Sequence, residues 1–560
     1  METVALTLLP LDRTVAVRRG TVLLEALRRA GVEIDAPCNG QGRCGKCKVR
    51  ITAGPPPLEG PCEHLSAGEA AAGTRLACRL TVQGPMAVVL PKVWSLDTRI
   101  LEGERIRSGR RAPAARVRVV RGLARLHYEG RADEALAGWR LAFAPKGIAV
   151  DLGTTTIVAT LMDLVSGEEL ATAAALNPQT RFGHDVMTRI GHGSTPAGLA
   201  ELTRCVAGAL GDLVGRICRK AGADPLEIVD AVLGGNPTML QLAGGIDPAP
   251  LGRVPFTLGL EGGRSHAAEA FGLALNPRAR VYVPPLAHAF VGADISAGLL
   301  DVGFFEPQPP LLFIDLGTNG EMALAVDGRR IATSTAAGPA FEGMGISCGM
   351  PAAGGAVETV WCDGRHLGLR TVDDAPARGV CGSGIVDLVA CLVERGAVTP
   401  DGRLKNPRKE PVAPGPFTER FRLLDGIAAV ELADGVHFTQ KDVRQFQLAK
   451  SAVRTGIDLL LAAAGAGPER LAKIVVAGAF GHHLRAGSLR TTGLVPPAFT
   501  GQIAFAGNTC RTGCARLLVD APARQSLETA MGSVTHLDIA AAPDFQERFV
   551  RNLAFGAPLP

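Results

Sequence analysis

A group of closely spaced cysteines near the start of the chain is the first feature that could do chemistry. The segment P-C-N-G-Q-G-R-C-G-K-C contains Cys38, Cys44 and Cys47 in a C-x5-C-x2-C spacing, and Cys78 follows in R-L-A-C. Three close thiolates and one remote thiolate are the ligand set of a [2Fe-2S] cluster. Glycines at positions 40, 42 and 45 allow the loop to turn tightly and to point backbone N–H groups at the sulfides. The pattern therefore predicts a one-electron iron–sulfur centre.

Four cysteines could also form a zinc site or a framework of disulfides. Zinc also binds four thiolates, but structural zinc sites commonly pair their ligands as two C-x2-C units, and this segment has one such unit. A disulfide framework is typical of secreted chains. Here 13 cysteines are spread over 560 residues without a secretory leader, so a reducing compartment is expected. The iron–sulfur interpretation is favoured over both.

A second chemical pattern occurs twice in the chain. One apolar run leads into D-L-G-T-T at Asp151–Thr155 and another into D-L-G-T-N at Asp315–Asn319, and each is followed by a further apolar run. Each copy predicts a hairpin whose turn faces a nucleotide. The aspartate can hold Mg²⁺ through water, the glycine lets the backbone approach, and the hydroxyl and N–H groups meet phosphate oxygens. Glu321 could position the attacking water or form only a salt bridge.

The residues that this pattern assigns to the nucleotide fall into two sets. Candidate Mg²⁺-ATP organisers and catalytic residues are Asp151, Asp315 and Glu321. Candidate nucleotide contacts are Gly153, Thr154, Thr155, Gly317, Thr318, Asn319, Gly382, Ser383, Gly384, Gly478 and Gly481. The last five come from two glycine clusters. One cluster precedes an apolar, helix-like run and could meet a phosphate or ribose with its N–H groups. The other follows the strand-like Ile474–Val476. Taken alone, each glycine cluster is typical of an ordinary tight turn.

These motifs resemble two known groups of proteins. The paired D-L-G-T hairpins resemble the phosphate motifs of the actin, sugar-kinase and Hsp70 superfamily, whose two RNase H-like lobes clamp ATP. The cysteine spacing resembles adrenodoxin-like ferredoxins. Further stretches narrow the resemblance to the RACo-like reductive activators of corrinoid-dependent methyltransferase systems. These stretches are N-P-Q at Asn177–Gln179, G-N-P-T-M at Gly235–Met239, G-I-D-P at Gly245–Pro248 and G-P-A-F-E-G at Gly338–Gly343.

The RACo resemblance runs nearly end to end and implies an activity. In that family a [2Fe-2S] cluster passes one electron to the inactive Co(II) corrinoid of a partner protein, and ATP binding and hydrolysis assist the step. The implied cofactors are the [2Fe-2S] cluster and ATP with Mg²⁺. The implied partners are a corrinoid protein or corrinoid-dependent methyltransferase, an upstream electron donor and a second copy of the chain. No cobalamin-binding D-x-H-x-x-G motif occurs in this sequence, so the corrinoid is expected on the partner.

The elements that must position these residues divide the chain into α/β and α+β domains. A hairpin over Val4–Pro10 and Arg13–Arg18, a helix over Val22–Ala30, the cysteine loop and closing strands follow the order of a β-grasp [2Fe-2S] ferredoxin over residues 1–90. Residues 91–146 form a linker subdomain with eight arginines between Arg105 and Arg125. Two RNase H-like lobes follow, a middle region over 147–307 and an ATP-binding domain over 308–560.

Composition limits the class of protein. At 58.1 kDa the chain is too long for one core. The net charge of +5 gives no reason to expect nucleic acid as a partner, although the arginine-rich linker could dock an acidic protein. No run reaches the roughly 18 apolar residues of a membrane span, so a cytoplasmic location without membrane contact is expected.

Two functions of other kinds compete with the activator. One is an ATP-dependent electron donor to another low-potential enzyme. The other is a superfamily kinase with a regulatory ferredoxin domain, whose ATP turnover should respond to a small hydroxylated substrate. An Hsp70-like chaperone is a weaker third choice, because no peptide-binding β domain follows the ATPase motifs.

Overall fold

The computed structural model describes most of the chain. The described residues are 2–30, 32, 34, 36, 40, 42, 45–55, 62–65, 67–90, 106, 112–120, 123–128, 134–135, 144–183, 185–364, 366–410, 415–478 and 484–556. The predicted fold class, a ferredoxin fold followed by two RNase H-like lobes, is confirmed over these residues. Cys38, Cys44 and Gly481 lie outside them.

The N-terminal domain is a β-grasp built on one main sheet, a small two-stranded sheet and two short helices. Its strands are β1 (Thr3–Leu9), β2 (Arg13–Arg18), β3 (Thr21–Val22), β4 (Lys48–Ala53), β5 (Thr74–Leu76), β6 (Thr81–Val82) and β7 (Met86–Val89), and its helices are α1 (Leu23–Arg29) and α2 (Ala67–Ala71). The main sheet has the order β2-β1-β7-β4-β5, with β1 and β7 parallel. Strand β1 alternates exposed and buried residues, so Leu6 and Leu8 enter the core beneath α1.

The linker region contributes a small antiparallel sheet. Strands β8 (Ala115–Val120), β9 (Leu123–Tyr128) and β10 (Glu134–Ala135) are ordered β10-β9-β8. The Tyr128 hydroxyl donates to the carboxylate of buried Asp230, which also accepts from Arg524 Nη2 at 2.6 Å. Since Asp230 lies in the first lobe and Arg524 near the C-terminus, this buried group ties the linker to both halves of the ATPase region.

The first lobe is a six-stranded mixed sheet. Its strands are β11 (Lys146–Leu152), β12 (Thr156–Asp163), β13 (Glu169–Leu176), β14 (Ile228–Gly235), β15 (Arg264–Ala267) and β16 (Arg280–Val283). The order is β13-β12-β11-β14-β16-β15, with β11 antiparallel to β12 and parallel to β14. Strands β11 and β14 are almost continuously apolar because helices or neighbouring layers cover both of their faces.

The second lobe repeats this arrangement. Its strands are β17 (Leu311–Leu316), β18 (Gly320–Val326), β19 (Arg329–Thr335), β20 (Ala356–Asp363), β21 (His366–Thr371), β22 (Gly379–Val380), β23 (Phe421–Leu424), β24 (Ile427–Ala433), β25 (Val436–Thr439), β26 (Lys473–Ala477), β27 (Gln502–Gly507) and β28 (Thr535–His536). The central order β19-β18-β17-β26-β27 matches β13-β12-β11-β14-β16 strand for strand, antiparallel on one side and parallel on the other. The two D-L-G-T motifs therefore occupy equivalent positions.

Helices cover these sheets. They are α3 (Val186–Gly193), α4 (Pro196–Ala221), α5 (Pro237–Ala243), α6 (Ala293–Asp301), α7 (Gly382–Glu394), α8 (Pro416–Arg420), α9 (Gln440–Ala464), α10 (Ala486–Thr491), α11 (Thr509–Val519), α12 (Ala521–Met531) and α13 (Phe545–Arg551). The two longest show clear end signals. Thr195 and Thr439 cap their N-termini, and Gly222 and Gly465 end them at φ 65° and 68°. None of the helices within the described ranges is both long and apolar enough to cross a membrane.

Short 3-10 turns complete the chain. They cover Pro178–Phe182, Pro225–Glu227, Ala249–Gly252, Ala268–Phe271, Pro339–Glu342, Val372–Asp374, Pro468–Arg470 and Ile539–Ala541. Helices α6 and α11 pack on each other where the lobes meet, and buried side chains of both lobes form one shared apolar cluster there. This shared core fixes the two hairpin turns at the same cleft.

Candidate functional site

The register of two strands brings the described cluster cysteines together. Strand β4 begins directly after Cys47, and Lys48 pairs with Leu76 at the end of β5, two residues before Cys78. The backbone N–H of Ala77 donates to the Cys47 carbonyl at 2.8 Å. The two cysteines that the structure describes therefore lie at one end of the β4–β5 pair, as the predicted cluster requires.

The glycines of the cysteine loop have the conformation that a cluster loop needs. Gly40, Gly42 and Gly45 have φ of 82°, 73° and 64°, a region that side chains with a Cβ rarely adopt. A Cβ at Gly45 would stand 2.6 Å from the His64 Cβ, and one at Gly40 would stand 3.8 Å from the Cys78 Cβ. The loop thus folds back onto the segment that carries the fourth cysteine, which fits a [2Fe-2S] cluster held between them.

The two D-L-G-T hairpins meet at the interlobe cleft. Asp151 and Asp315 end equivalent strands, β11 and β17, and each strand turns back into its antiparallel partner. Asp294, near the start of α6, adds a third carboxylate between them. The Asn508 Nδ2 group donates to the Asp151 Oδ2 atom at 2.7 Å and so anchors the first aspartate from the second lobe. The sequence predicted Asp151 and Asp315 but not Asp294 or Asn508.

Burial and, after it, the neighbouring charges raise the pKa values of these acids. Burial raises the pKa of Asp315 to about 8, and the charges of Asp294, Asp151 and Glu342 add to the effect. Burial, with the charge of Asp151, raises the pKa of Asp294 to about 7. The pKa of Glu321 is also raised, by burial and by the charges of Asp294 and Asp315. Carboxylates held this close favour binding of a cation such as Mg²⁺.

Side chains from the first lobe support the first hairpin turn. The Asn177 Nδ2 group donates to the Gly153 carbonyl at 2.9 Å, and the fully buried Arg189 donates through Nη2 to the Thr154 carbonyl at 2.6 Å. The Asn236 Nδ2 group donates to the Thr154 Oγ1 atom at 3.0 Å and also caps α5. Asn177 and Asn236 explain the N-P-Q and G-N-P-T-M stretches, because each asparagine caps a helix whose first residue is proline.

One carboxylate joins the two predicted phosphate loops. The Thr155 hydroxyl donates to the Glu342 Oε2 atom at 3.1 Å, and the Thr318 hydroxyl lies 3.2 and 3.1 Å from Oε1 and Oε2. Burial raises the pKa of Glu342, while the hydrogen bonds from Thr318 and Thr155 and the charge of Arg189 lower it. The sequence suggested only that the segment around Glu342 could touch the corrinoid or the partner. The separation of Glu342 from the first hairpin along the chain hid the contact seen here.

The glycine clusters differ in their surroundings. Gly478 follows β26 with φ of 115°, and a Cβ there would stand 2.4 Å from the Leu316 carbonyl and 3.4 Å from Asp315 Oδ1, so it borders the second aspartate. Gly382, Ser383 and Gly384 begin α7 and are buried. The Ser383 hydroxyl donates to the Glu358 carbonyl at 2.8 Å. The Gly382–Gly384 cluster therefore forms a close contact between a helix and a strand. Its contact with the nucleotide stays a prediction.

Within the described residues no set of three or more His, Cys, Asp or Glu side chains is arranged as a ready metal site. Two of the four predicted cluster ligands, Cys38 and Cys44, are not among those residues, so the complete thiolate set is not seen together. That Asp151 and Asp315 hold Mg²⁺ through water stays a prediction.

Three family models match consecutive parts of the chain. A 2Fe-2S iron-sulfur cluster binding domain matches residues 6–83, the RACo middle region matches 146–306, and the C-terminal domain of RACo, the ASKHA domain, matches 310–557.

Relatives that match most of the chain belong to the same group of proteins as these family models. The corrinoid activation enzyme RamQ of Eubacterium limosum is 34% identical over 420 residues, which are 73% of this chain and 70% of the relative. The [Co(II) methylated amine-specific corrinoid protein] reductase of Methanosarcina barkeri is 26% identical over 449 residues, 74% of this chain and 78% of the relative. A solved structure of a reductive activator for corrinoid, iron-sulfur protein is 27% identical, with a TM-score of 0.73, and covers 99% of this chain and 98% of its own.

Proposed function

Because this chain belongs to the RACo family, we propose that it is an ATP-dependent reductive activator of a corrinoid protein. It returns the inactive Co(II) corrinoid of a partner methyltransferase system to Co(I). The observation that carries the proposal is the meeting of the cysteine loop and the ATPase region: Lys46, between two predicted cluster ligands, donates to the Gly345 carbonyl at 3.4 Å.

The [2Fe-2S] cluster supplies one electron. Bound at the cysteine loop, it would supply the single electron that takes the partner's cobalt from +2 to +1, and an upstream electron donor would reduce it again. We assign Cys38, Cys44, Cys47 and Cys78 as the cluster ligands. The thiolates would hold the iron ions, and the N–H groups of the glycine turns would stabilise the negative charge on the sulfur atoms.

ATP with Mg²⁺ supplies the energy for an uphill transfer. A cluster of the plant-type class has a reduction potential of about −400 mV. The reduction of Co(II) to Co(I) by such a cluster is thermodynamically uphill. A cleft that closes on ATP can bind one state of the partner better than another, and this differential affinity shifts the equilibrium. We assign Asp151 and Asp315 to hold Mg²⁺ through water and Glu321 to position the attacking water.

The remaining nucleotide contacts follow from the two turns and the two glycine clusters. We assign them to Gly153, Thr154, Thr155, Gly317, Thr318, Asn319, Gly382, Ser383, Gly384, Gly478 and Gly481. We also propose the division of the chain into a ferredoxin domain over 1–90, a linker over 91–146, a first lobe over 147–307 and an ATP-binding domain over 308–560. A cytoplasmic location is proposed because a reducing compartment suits thiolate ligands.

Anaerobic visible spectroscopy tests the proposal. A Co(II) corrinoid protein from the same source is mixed with this protein, chemically reduced, with and without Mg²⁺-ATP. The Co(I) band should appear only with ATP, and Cys47→Ser and Asp315→Ala should each abolish it. Asp327→Asn, at an exposed turn between β18 and β19, should retain it. A fully reduced cluster with ATP that leaves cobalt as Co(II), and no stimulation of ATP turnover by the corrinoid protein, would exclude this acceptor.

A further inference from the structure

Glu342 accepts hydrogen bonds from the threonine hydroxyl groups that we assign to the nucleotide. Its carboxylate accepts from Thr155 of the first hairpin turn and from Thr318 of the second, at 3.1 to 3.2 Å. Both threonines are assigned above as phosphate contacts. A carboxylate that bridges two hydroxyl donors has the charge and the acceptor atoms of a phosphate group. Without nucleotide, Glu342 thus serves as an internal anion that joins the two lobes.

Bound ATP and Glu342 cannot both keep these donors. Each threonine hydroxyl has one proton to donate, and a phosphate oxygen placed there would face the carboxylate at short range. Two anions in a partly buried cleft repel each other more strongly than they would in water. Glu342 must therefore leave at least one of the two threonines when the phosphates bind.

The segment that carries Glu342 is anchored on both sides. Phe341 is fully buried and packs edge-on against Phe446, and Ser347 is held by the Asp442 carboxylate through its N–H at 2.6 Å. Between these anchors the chain contains two glycines with positive φ. They are Gly343 and Gly345, at 78° and 76°. A short glycine-containing segment between two fixed points can change conformation without disturbing either anchor.

The far end of this segment is the Gly345 carbonyl, which accepts from Lys46 Nζ. Lys46 directly precedes Cys47 in the cysteine loop. Only two residues along the chain therefore separate the carboxylate in the nucleotide cleft from the residue that contacts the iron–sulfur domain. We propose that Glu342 is a positioning residue that reports nucleotide occupancy to the cluster loop, by leaving Thr155 and Thr318 and moving the 342–346 segment against Lys46. This inference rests on the proposed function.

Amide hydrogen exchange of the full-length, cluster-loaded protein tests the inference without relying on activity. In the wild type, Mg²⁺ with a non-hydrolysable ATP analogue should raise exchange in residues 342–346 and around Lys46. Glu342→Ala should show raised exchange in both places before nucleotide is added and no further response. It should also bind the analogue about tenfold more tightly, because the competing anion is gone.

Two further variants separate the two contacts. Lys46→Met should keep wild-type affinity for the analogue and the response of 342–346 but lose the response of the cluster loop. Glu394→Ala removes another Thr–Glu hydrogen bond, from Thr491 at 2.9 Å on an exposed surface, and should behave as the wild type in every measurement.

Weaker binding of the analogue by Glu342→Ala would overturn the inference, since Glu342 would then belong to the nucleotide site itself. A nucleotide response around Lys46 that persists in Glu342→Ala would overturn it as well. Failure of the proposed function would be seen in a different experiment. In the spectroscopic assay the wild type with ATP would then leave the corrinoid as Co(II). A wild type that forms Co(I), beside a Glu342→Ala variant indistinguishable from it in exchange and affinity, would remove the inference alone.

Discussion

Replacing Asp315 by asparagine should stabilise the nucleotide-free protein while abolishing Mg²⁺-ATP turnover. Asp315 ends β17 in a cleft that also holds Asp294, Asp151 and Glu342, and burial together with their charges raises its pKa to about 8. An amide of the same shape removes one of the crowded charges. The same change removes a carboxylate that we assign to Mg²⁺, so stability and activity should move in opposite directions.

The size of the effect follows from the pKa. The value rises from 3.8 to about 8, and a tenfold change in proton affinity corresponds to about 1.4 kcal/mol, so ionising Asp315 costs at most about 6 kcal/mol. Residual solvent contact and the shared titration of the neighbouring acids reduce this cost. We expect Asp315→Asn to be more stable than the wild type by about 2 to 3 kcal/mol at pH 8.

The pH dependence has a definite sign. A carboxyl whose pKa is higher in the folded than in the unfolded protein binds more protons when folded, so wild-type stability falls as pH rises from about 4 to about 8. The advantage of Asp315→Asn should therefore grow over this interval and level off above pH 8. Near pH 4 the neutral Asp315 and the amide should differ little.

Urea unfolding of the nucleotide-free proteins at several pH values measures the difference. Asp327→Asn is the matched control, because Asp327 is exposed and its pair with Arg470 at 2.7 Å contributes little. The control should stay within about 0.5 kcal/mol of the wild type at every pH. An Asp315→Asn protein less stable than the wild type at pH 8, or equally stable at all pH values, would refute the reasoning about charge crowding.

Three further predictions concern other parts of the molecule. Cys78→Ser should remove the visible absorbance of the cluster and its bound iron, measured by spectroscopy and metal analysis, while ATP binding persists. Gly478→Ala should weaken ATP binding at least tenfold in calorimetry, because its Cβ would meet the Leu316 carbonyl at 2.4 Å. Arg524→Met should lower the free energy of unfolding by about 3 kcal/mol, because it leaves the Asp230 carboxylate buried without its cation.

Much of the fold could be predicted because its signals are local. The hairpin over Val4–Pro10 and Arg13–Arg18 appears as the antiparallel pair β1–β2, and the predicted helix over Val22–Ala30 appears as Leu23–Arg29. The two D-L-G-T turns were recognisable because a strand, an aspartate, a glycine and a hydroxyl residue are adjacent in the chain. Strand β8 (Ala115–Val120) has a local signal of the same kind, because apolar residues alternate along it.

The rest of the site could not be predicted, because its residues meet only through the tertiary fold. Asn508 lies 357 residues from Asp151, to which it donates a hydrogen bond, and Glu342 lies 187 residues from Thr155. Asp294 has no motif around it, and its position depends on the packing of α6 between the lobes. Asn177 and Asn236 offered a usable signal, since asparagine before proline commonly caps a helix. Their further contacts with the first turn required the three-dimensional arrangement.

The duplicated lobes also explain why the two equivalent aspartates are not chemically equivalent. Asp151 receives a hydrogen bond from Asn508, the residue that caps α11 of the opposite lobe. At Asp315 the neighbouring groups that act on the pKa are carboxylates, and each of them raises it. A duplication by itself would give two similar sites, whereas here the two aspartates have unequal partners. The lobe that carries Asp315 also carries Glu342 and Gly345, whose carbonyl accepts from Lys46 of the cysteine loop.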